Sequence, residues 1–404
     1  MRRCAVSLLV MSVILPAIAA VKAPNGTDTD PLNLQPDVQA AYQHFYDLDY
    51  GTAQTLFEKI AAEHPDDPMA AGYVLNNAVF RELYRLGLLD TTLYVQEGFL
   101  SGKHPVVEDM QARARIDALY QRAIDLANGR LAANPNDADA LFARGYATSL
   151  KTLYIGMVEK KYVTALHMAS ASRKDDDAVL KLDPNYIDCY LIVGVHDYVM
   201  GSLAFPLKVL AGLVGIHGSK SKGMQELRRV GRDGIINSVS ARTALAIFLR
   251  REGQYGQALE VIDGLAHQYP HNFLFALEQA NLLKDSGQGM TAVEAYQSLL
   301  RRATAPGNYY PDPHLEMAYY GLGEAARGQR HIQEAANAYQ SATTQATASP
   351  LMKRRAHLAA GEMFDLLGQR AQAKQQYDDV LALGADSDQA QRAATYKTSP
   401  YSGK

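Results

Sequence analysis

The sequence predicts an all-α protein in which helical hairpins stack on one another along the chain. One recurring pattern is a proline followed ten residues later by Gly or Ala inside an apolar stretch. It occurs at Pro135/Gly145, Pro184/Gly194, Pro270/Ala280, Pro313/Gly323 and Pro350/Ala360. The other is an Ala, an aromatic or aliphatic residue four positions later, and an apolar or small residue three beyond that. It occurs at Ala53/Phe57/Ile60, Ala258/Ile262/Leu265, Ala292/Tyr296/Leu299, Ala335/Tyr339/Ala342 and Ala373/Tyr377/Val380.

Both patterns have a physical meaning in a pair of antiparallel helices. The helices approach closely only where one presents a small residue opposite a bulky residue of the other. A proline cannot continue the hydrogen-bond ladder of the second helix, so it marks the turn to the next pair. Gly253, Gly287 and Gly368 fall between the two helices of a pair, where a tight turn favours positive φ. Each pair leaves one face bare, so we expect the pairs to stack.

The two patterns together resemble the tetratricopeptide repeat (TPR) family. Ala258 and Ala292 are 34 residues apart, which is the period of that family. The Trp common early in such units is absent, because the chain has no Trp. The units that fit are 238–271, 272–305, 315–348, 354–388 and 36–68. The resemblance implies a right-handed superhelix whose concave groove is lined by the first helix of each unit.

The middle of the chain departs from the regular period and resembles a narrower group. Residues 184–275 are similar to a repeat-39-type subfamily of TPR proteins that includes an inclusion-body-clearance protein, and this similarity implies a protein-handling or scaffold role. The expected organisation is a signal peptide at 1–20, a flexible segment at 21–35, a divergent helical region at 36–235 with insertions at 87–105 and 203–222, a regular array at 236–390, and a C-terminal tail at 391–404.

The first residues predict where the protein acts, and the overall charge indicates which class of partner is not expected. Arg2 and Arg3 precede a short apolar run, and Ala17-Ile18-Ala19 has the small-x-small form of a cleavage site, so we expect export to the periplasm or cell envelope. The formal net charge is −3. With no basic surplus to neutralise phosphates, nucleic acid is not an expected partner.

The TPR resemblance assigns candidate groove residues at regular offsets around the small Gly or Ala. They are Tyr146, Tyr198, Arg250, Asn281, Lys284, Glu324, Arg327 and Glu362. Aromatic and charged side chains at such positions can hold an extended or helical peptide. Their mixed charges argue against a clamp for a single terminal carboxylate. The predicted function is a non-enzymatic scaffold or assembly factor of the bacterial cell envelope that binds a protein or peptide partner, with the oligomeric state left open.

Two alternatives place the function in the middle of the chain. His196 and Asp197 lie in an otherwise apolar stretch, where a polar pair is either a tie between helices or part of a site. An enzyme or small-ligand receptor would have its site in 184–225, where Tyr198 and a lysine join this pair. The apolar stretch 203–217 is too short and interrupted to span a membrane, but it could touch lipid or a partner from the surface.

No motif in the sequence predicts a metal, a cofactor or a catalytic group. His267 and His271 have helical ligand spacing, but Pro270 ends the helix between them. Cys189 lies in an apolar context typical of a buried, inert thiol. The run Lys353-Arg354-Arg355 is typical of a helix start with surface charge.

Overall fold

The computed structural model describes residues 26–92, 107–202, 218–384 and 386–403. Within these ranges the chain forms seventeen α-helices and no strand. They are α1 (Pro36–Tyr46), α2 (Tyr50–Glu63), α3 (Pro68–Arg85), α4 (Met110–Ala133), α5 (Ala138–Tyr154), α6 (Tyr162–Leu182), α7 (Tyr190–Ser202), α8 (Lys220–Asp233), α9 (Ser238–Arg251), α10 (Tyr255–Gln268), α11 (Phe273–Asp285), α12 (Gly289–Thr304), α13 (Leu315–Gly328), α14 (Ile332–Thr343), α15 (Pro350–Leu366), α16 (Arg370–Ala382) and α17 (Asp388–Thr398).

Consecutive helices pair into hairpins, each formed by an odd-numbered helix and the even-numbered helix that follows it. Polar caps begin several odd-numbered helices: the Asp67 carboxylate accepts from the amides of Met69 and Ala70, and Asn272 accepts from the amide of Phe275. Each hairpin also packs against the next one, so the predicted array of stacked helical hairpins is the fold of the protein.

The turns inside three hairpins have the predicted backbone conformation. Gly253, Gly287 and Gly368 have φ values of 71°, 82° and 73°. A left-handed conformation at this position strains most L-residues, which explains why glycine stands there. The prediction from the glycine spacing is therefore confirmed.

The close approach of paired helices also follows the predicted pattern, with one correction. A Cβ on Gly323 would lie 2.6 Å from the ring of Tyr339, so the glycine leaves the space that the aromatic ring fills. In the hairpin of α15 and α16 the residue against Tyr377 is Gly361, where a Cβ would lie 2.5 Å from the ring. The ten-residue pattern predicts Ala360 as the small residue of this hairpin. Ala360 is buried, but its neighbour Gly361 is the residue that contacts the ring.

The array folds back so that its N-terminal hairpins contact its later hairpins. The hydroxyl of Tyr46, at the end of α1, donates to the Ile236 carbonyl at 3.0 Å, and the Asn272 amide donates to the Tyr46 carbonyl at 2.6 Å. The hydroxyl of Tyr84 in α3 donates to the Asp312 carbonyl at 3.0 Å. A single hydrophobic cluster joins α1 and α3 to residues such as Met317 of α13. The protein's own N-terminal helices therefore fill much of the concave side on which a continuous groove was expected.

The segment before α1 differs from the flexible segment expected at 21–35. The hydroxyl of Thr27 donates to the Asp233 carbonyl at 3.1 Å, and the amide of Asp30 donates to the hydroxyl of Tyr186 at 3.1 Å. Asn33 is fully buried and accepts from the hydroxyl of Tyr73 at 2.5 Å. Residues 27–33 are thus bound across several hairpins, because their polar groups find partners on α3 and on the turns near α6 and α8.

The end of the chain also differs from the expected tail at 391–404. Helix α17 packs on α16 and on α15, and Ala390 and Ala393 are buried in that contact. Residues 399–403 then return across α15 towards α13. The terminal helix therefore extends the array by covering the face that its last hairpin would otherwise expose.

Several predicted segments lie wholly or partly outside the described residues. The signal peptide at 1–20 does, as do 21–25 of the segment at 21–35, 93–105 of the insertion at 87–105, and 203–217 of the insertion at 203–222. Residues 220–222 of the second insertion belong to α8. Within the described ranges, no helix has both the length and the apolar character needed to cross a bilayer.

Candidate functional site

A cavity of about 170 Å³ remains open on the concave side, beyond the region that α1 and α3 fill. It lies between the residues that follow α3 and the odd-numbered helices α9, α11, α13 and α15. Its lining consists of Asp90, Thr92, Arg250, Leu277, Asn281, Lys284, Asp285, Met317, Tyr320, Gly321, Glu324, Met352 and Arg355. Four of the eight candidate groove residues, Arg250, Asn281, Lys284 and Glu324, are among them.

The floor of the cavity is a buried ion network centred on Arg250. Its guanidinium donates to Asp285 at 2.6 Å and to Glu278 at 2.9 Å, and it also reaches the hydroxyl of Thr91 at 3.0 Å. Burial raises the pKa of Glu278. For Asp285 burial acts in the same direction, but Arg250 and Lys284 outweigh it and hold the pKa of that carboxyl below its ordinary value. The network is satisfied internally and fixes α9 to α11 and to the segment that follows α3.

Asn281 is likewise used within the fold. It is buried, its side-chain oxygen accepts from the hydroxyl of Tyr296 at 2.5 Å, and its amide donates to Glu278 at 3.2 Å. Arg250 and Asn281 therefore shape the cavity from below, and their polar groups already have protein partners.

The wall of the cavity carries the groups that face the open space. Arg355 on α15 places its guanidinium 4.6 Å from the ring centroid of Tyr320 on α13. Among the described residues, no carboxylate lies within ion-pair distance of Arg355. Lys284 pairs with Asp285 at 2.9 Å, and Glu324 accepts from the hydroxyl of Tyr339 at 2.5 Å. The side chains of Lys284, Tyr320, Glu324 and Arg355 are partly exposed. In contrast, Arg250, Glu278 and Asn281 of the floor are buried.

Two candidate groove residues are part of the packed interior. The hydroxyl of Tyr146 on α5 lies 3.1 Å from that of Tyr42, and the residue belongs to the main hydrophobic cluster. Tyr198 on α7 stacks on Phe248 with ring centroids 3.7 Å apart, and its hydroxyl donates to Glu252. The structure therefore places both tyrosines in helix packing rather than on an open surface.

The other two candidates, Arg327 and Glu362, lie next to the cavity but under the end of the chain. Arg327 on α13 donates to the Glu362 carboxylate on α15 at 2.9 Å and to the hydroxyl of Tyr401 at 2.9 Å. Arg392 on α17 reaches the same carboxylate at 2.5 Å. Burial raises the pKa of Glu362, although Arg327 and Arg392 act against it.

The polar pair His196 and Asp197 forms a tie between helices. Arg173 on α6 donates to the Asp197 carboxylate at 2.6 Å and lies 2.8 Å from Nδ1 of His196. Lys222 on α8 reaches the same carboxylate at 3.5 Å, while Lys220 pairs with Glu252. Burial and the nearby Arg173 both lower the pKa of His196, so its neutral ring can accept the guanidinium N–H. These contacts join α6, α7 and α8, as expected for a structural tie.

Metal ligands do not gather in the part of the chain that the structure describes: no three His, Cys, Asp or Glu side chains come close enough there to hold an ion. Cys189 is fully buried, and burial raises the pKa of its thiol well above the ordinary value.

Asp90, Thr92, Tyr320 and Arg355 line the cavity but are not among the predicted groove residues. Arg355, predicted to be surface charge at a helix start, lies inside α15 and over an aromatic ring. Tyr320 precedes Glu324 by four residues on α13, so the two share a helix face, and that spacing could have identified it. Asp90 and Thr92 carry no such signal, because they reach the cavity only when α3 folds back.

The fold and the cavity together define an all-α array of stacked helical hairpins with a small polar cavity on its concave side. No family model matches the chain, and no curated protein matches it by sequence.

Similar architectures occur among solved structures. Yeast Tom70 is 12% identical, with a TM-score of 0.41, over 91% of this chain and 89% of that chain. A tetratricopeptide repeat protein from Parabacteroides merdae ATCC 43184 is 14% identical, with a TM-score of 0.34, over 78% and 94%. The human IFIT1 dimer with m7Gppp-AAAA is 13% identical, with a TM-score of 0.44, over 91% and 80%.

Proposed function

We propose that the protein is a non-enzymatic scaffold that binds a peptide segment of a partner protein in the cavity and on the concave surface beside it. The observation that carries this proposal is the cavity wall, where Arg355, Lys284, Glu324 and Tyr320 surround one open space. Three odd-numbered helices supply these groups, so their relative positions are set by packing rather than by loops.

The size of the cavity supports a side chain as its occupant. Pockets for cofactors and small ligands measure roughly 300–1,000 Å³. At about 170 Å³, this cavity suits a single large side chain from a longer segment. Met317 and Met352 add flexible apolar surface that adapts to such an anchor.

The charges of the cavity indicate the chemistry of that segment. The cationic groups in the lining are Arg250, Lys284 and Arg355, and the carboxylates are Asp90, Asp285 and Glu324. Arg250 pairs with Glu278 and Asp285, Lys284 pairs with Asp285, and Asp90 is buried. Arg355 and Glu324 are therefore the charges most available to a partner. A segment with an acidic and a basic residue flanking its anchor would satisfy both.

The place of action is a further part of the proposal. The basic and apolar residues of 1–20 and the Ala17-Ile18-Ala19 site support export, so we place the scaffold in a bacterial cell envelope, where an assembly factor would act. A peripheral membrane contact through 203–217 belongs to the same proposal. N-terminal sequencing of the protein recovered from envelope fractions tests the cleavage, and washing of membranes at high pH tests the contact.

The binding site is tested in two steps. A photo-crosslinking amino acid in place of Tyr320 should capture a partner in the native host, whereas the same group in place of the exposed Arg301 should not. Mapping the crosslink then gives the bound segment for affinity measurements with the purified full chain.

The affinity step separates specific from incidental capture. Arg355→Gln should weaken binding of the mapped segment at least about tenfold, while Arg301→Gln, a matched change of an exposed arginine on α12, should leave it unchanged. Equal affinities of the two variants, or equal crosslinking at the two positions, would show that the cavity is not the binding site.

A further inference from the structure

Residues 399–403, which follow α17, cross α15 and reach α13 through Tyr401. The amide of Tyr401 donates to the Asp365 carboxylate at 2.8 Å, and its hydroxyl accepts from Arg327 at 2.9 Å. The Arg327 guanidinium also lies 5.7 Å from the centroid of the Tyr401 ring. Ser399, which precedes Pro400, has the extended conformation that proline favours in the residue before it.

The surface beneath Tyr401 is organised by its own contacts. The Asp365 side chain is fully buried and is held by Arg370 at 2.7 Å and by the hydroxyl of Tyr377 at 2.8 Å. Both oxygens of Glu362 are used by Arg327 and Arg392. We call this surface, made of Arg327, Glu362 and Asp365, the tail seat. Each of these three side chains thus has a protein partner besides Tyr401.

The tail seat continues the surface that leads into the cavity. Arg327 follows the cavity residue Glu324 by three positions on α13, and Glu362 follows Arg355 by seven positions on α15. Residues three and seven apart share a face of a helix. A segment that filled the cavity and continued towards α17 would therefore enter the seat that Tyr401 now occupies.

We propose that residues 399–403 are an internal substitute for the partner, and that the partner segment carries a tyrosine that takes the place of Tyr401. This inference rests on the proposed function. The seat offers a guanidinium to the hydroxyl and ring of a tyrosine, and a buried carboxylate to the amide of an extended segment. The tail is covalently attached, so it competes at an effective concentration on the order of millimolar and lowers the apparent affinity for the partner.

The test uses a labelled peptide with the sequence of residues 397–403, Lys-Thr-Ser-Pro-Tyr-Ser-Gly, and fluorescence polarisation with the full chain. The wild-type protein should bind it at least tenfold more weakly than the Tyr401→Ala variant, in which the ring and hydroxyl no longer contact Arg327. Adding Arg327→Gln to Tyr401→Ala should abolish binding, and a peptide with Phe in place of Tyr should bind more weakly because it lacks the hydroxyl. If Tyr401→Ala does not fold, Tyr401→Phe replaces it in the test, because it keeps the packed ring and removes only the hydroxyl. Its affinity for the peptide should lie between that of wild type and that expected for Tyr401→Ala.

Three outcomes would overturn the proposal or part of it. Equal binding to wild type and to a folded Tyr401→Ala variant would show that the tail only caps the array. Unchanged binding after Arg327→Gln would place the peptide elsewhere. A wild-type dimer in light scattering that Tyr401→Ala converts to a monomer would show that the seat takes the tail of a second copy.

The cavity variant distinguishes this proposal from the proposed function. No residue of 399–403 lines the cavity. Adding Arg355→Gln to Tyr401→Ala should therefore leave the affinity for the tail peptide unchanged. If the tail peptide binds but crosslinking at Tyr320 captures no partner, the tail seat is supported and the proposed function of the cavity is refuted. If crosslinking succeeds but the peptide does not bind, the cavity is supported and the tail seat is refuted.

Discussion

At the scale of single residues, the absence of a side chain decides how closely two helices pack. The flat rings of Tyr339 and Tyr377 lie where the Cβ atoms of Gly323 and Gly361 would stand. Both tyrosines are fully buried, and their hydroxyls donate to Glu324 and Asp365. The glycine, the ring and the carboxylate thus form one unit that repeats in consecutive hairpins. In each hairpin this unit also holds a carboxylate of the concave surface in position.

Replacing Gly361 with alanine should destabilise the protein. The new Cβ would lie 2.5 Å from a ring carbon of Tyr377, so the ring or the helices must move, and such overpacking costs about 1–3 kcal/mol. The matched control is Gly264→Ala, on the exposed face of α10, where nothing lies within 4 Å. The control should gain about 0.5–1 kcal/mol from helix propensity alone. Urea denaturation of both variants measures the difference, and a stable Gly361→Ala would contradict this account of the packing.

At the scale of elements, residues 27–33 act as a strap rather than as a loose leader. Asp30 is buried, its carboxylate accepts from the amide of Leu32, and its neighbours include Tyr186 and Asp139. Burial and the charges of Asp67 and Asp139 raise the pKa of Asp30 to about 7. The strap is therefore held by a carboxyl group that the folded protein prefers to keep protonated.

This preference predicts a pH dependence with a definite sign. The folded state binds the Asp30 proton more tightly than the unfolded chain does, so the free energy of unfolding should fall as the pH rises from about 4 to about 7, by at most about 1.4 kcal/mol per pH unit. Asp30→Asn keeps an acceptor for the Leu32 amide and removes the titration. The variant should be more stable relative to wild type at pH 8 than at pH 4, as judged from urea midpoints. Parallel pH curves for the two proteins would refute the role of Asp30.

At the scale of the whole molecule, the return of the N-terminal hairpins makes the array a closed body. Tyr46 contacts residues 190 to 226 positions further along the chain, and Tyr84 contacts a residue 228 positions away. In an open solenoid each hairpin meets only its neighbours, and stability is a sum of local terms. Here the interior of α9, α11 and α13 depends on α1 and α3.

Amide hydrogen exchange should reveal this dependence. Tyr46→Ala removes the contacts of the hydroxyl with Ile236 and Ser240 and of the ring with Tyr269, and it should speed exchange in α9 and α11 although both are remote in sequence. Tyr377→Ala, an equal truncation in the last hairpin, should speed exchange near α15 and leave α9 unchanged. Exchange that rises only in α1 and α2 after Tyr46→Ala would show that the hairpins are energetically independent.

Local patterns predicted the hairpins because each depends on residues a few turns apart. The positive φ of Gly253 and the fit of Gly323 to Tyr339 are contacts within one hairpin, and the spacing of the residues carries them. The closure joins Tyr46 to Asn272, and no periodicity links positions so far apart. Tyr146 illustrates the difference. The local pattern places it on a helix, but its burial against Tyr42, 104 residues away, depends on the closure and has no local signal. The role of Arg355 also depends on this closure, because Asp90 and Thr92 complete the cavity around it.

The return of the first hairpins also sets an order of events while the chain is being made. Tyr46 and Tyr84 are synthesised early, but their partners at 236–272 and 312–314 appear only after some two hundred further residues. Contacts of such long range form late in folding, and the surfaces that await them are prone to aggregate. We therefore expect the unpaired apolar faces of the N-terminal hairpins to favour aggregation until the later ones are in place, and a holding chaperone to raise the yield of native protein.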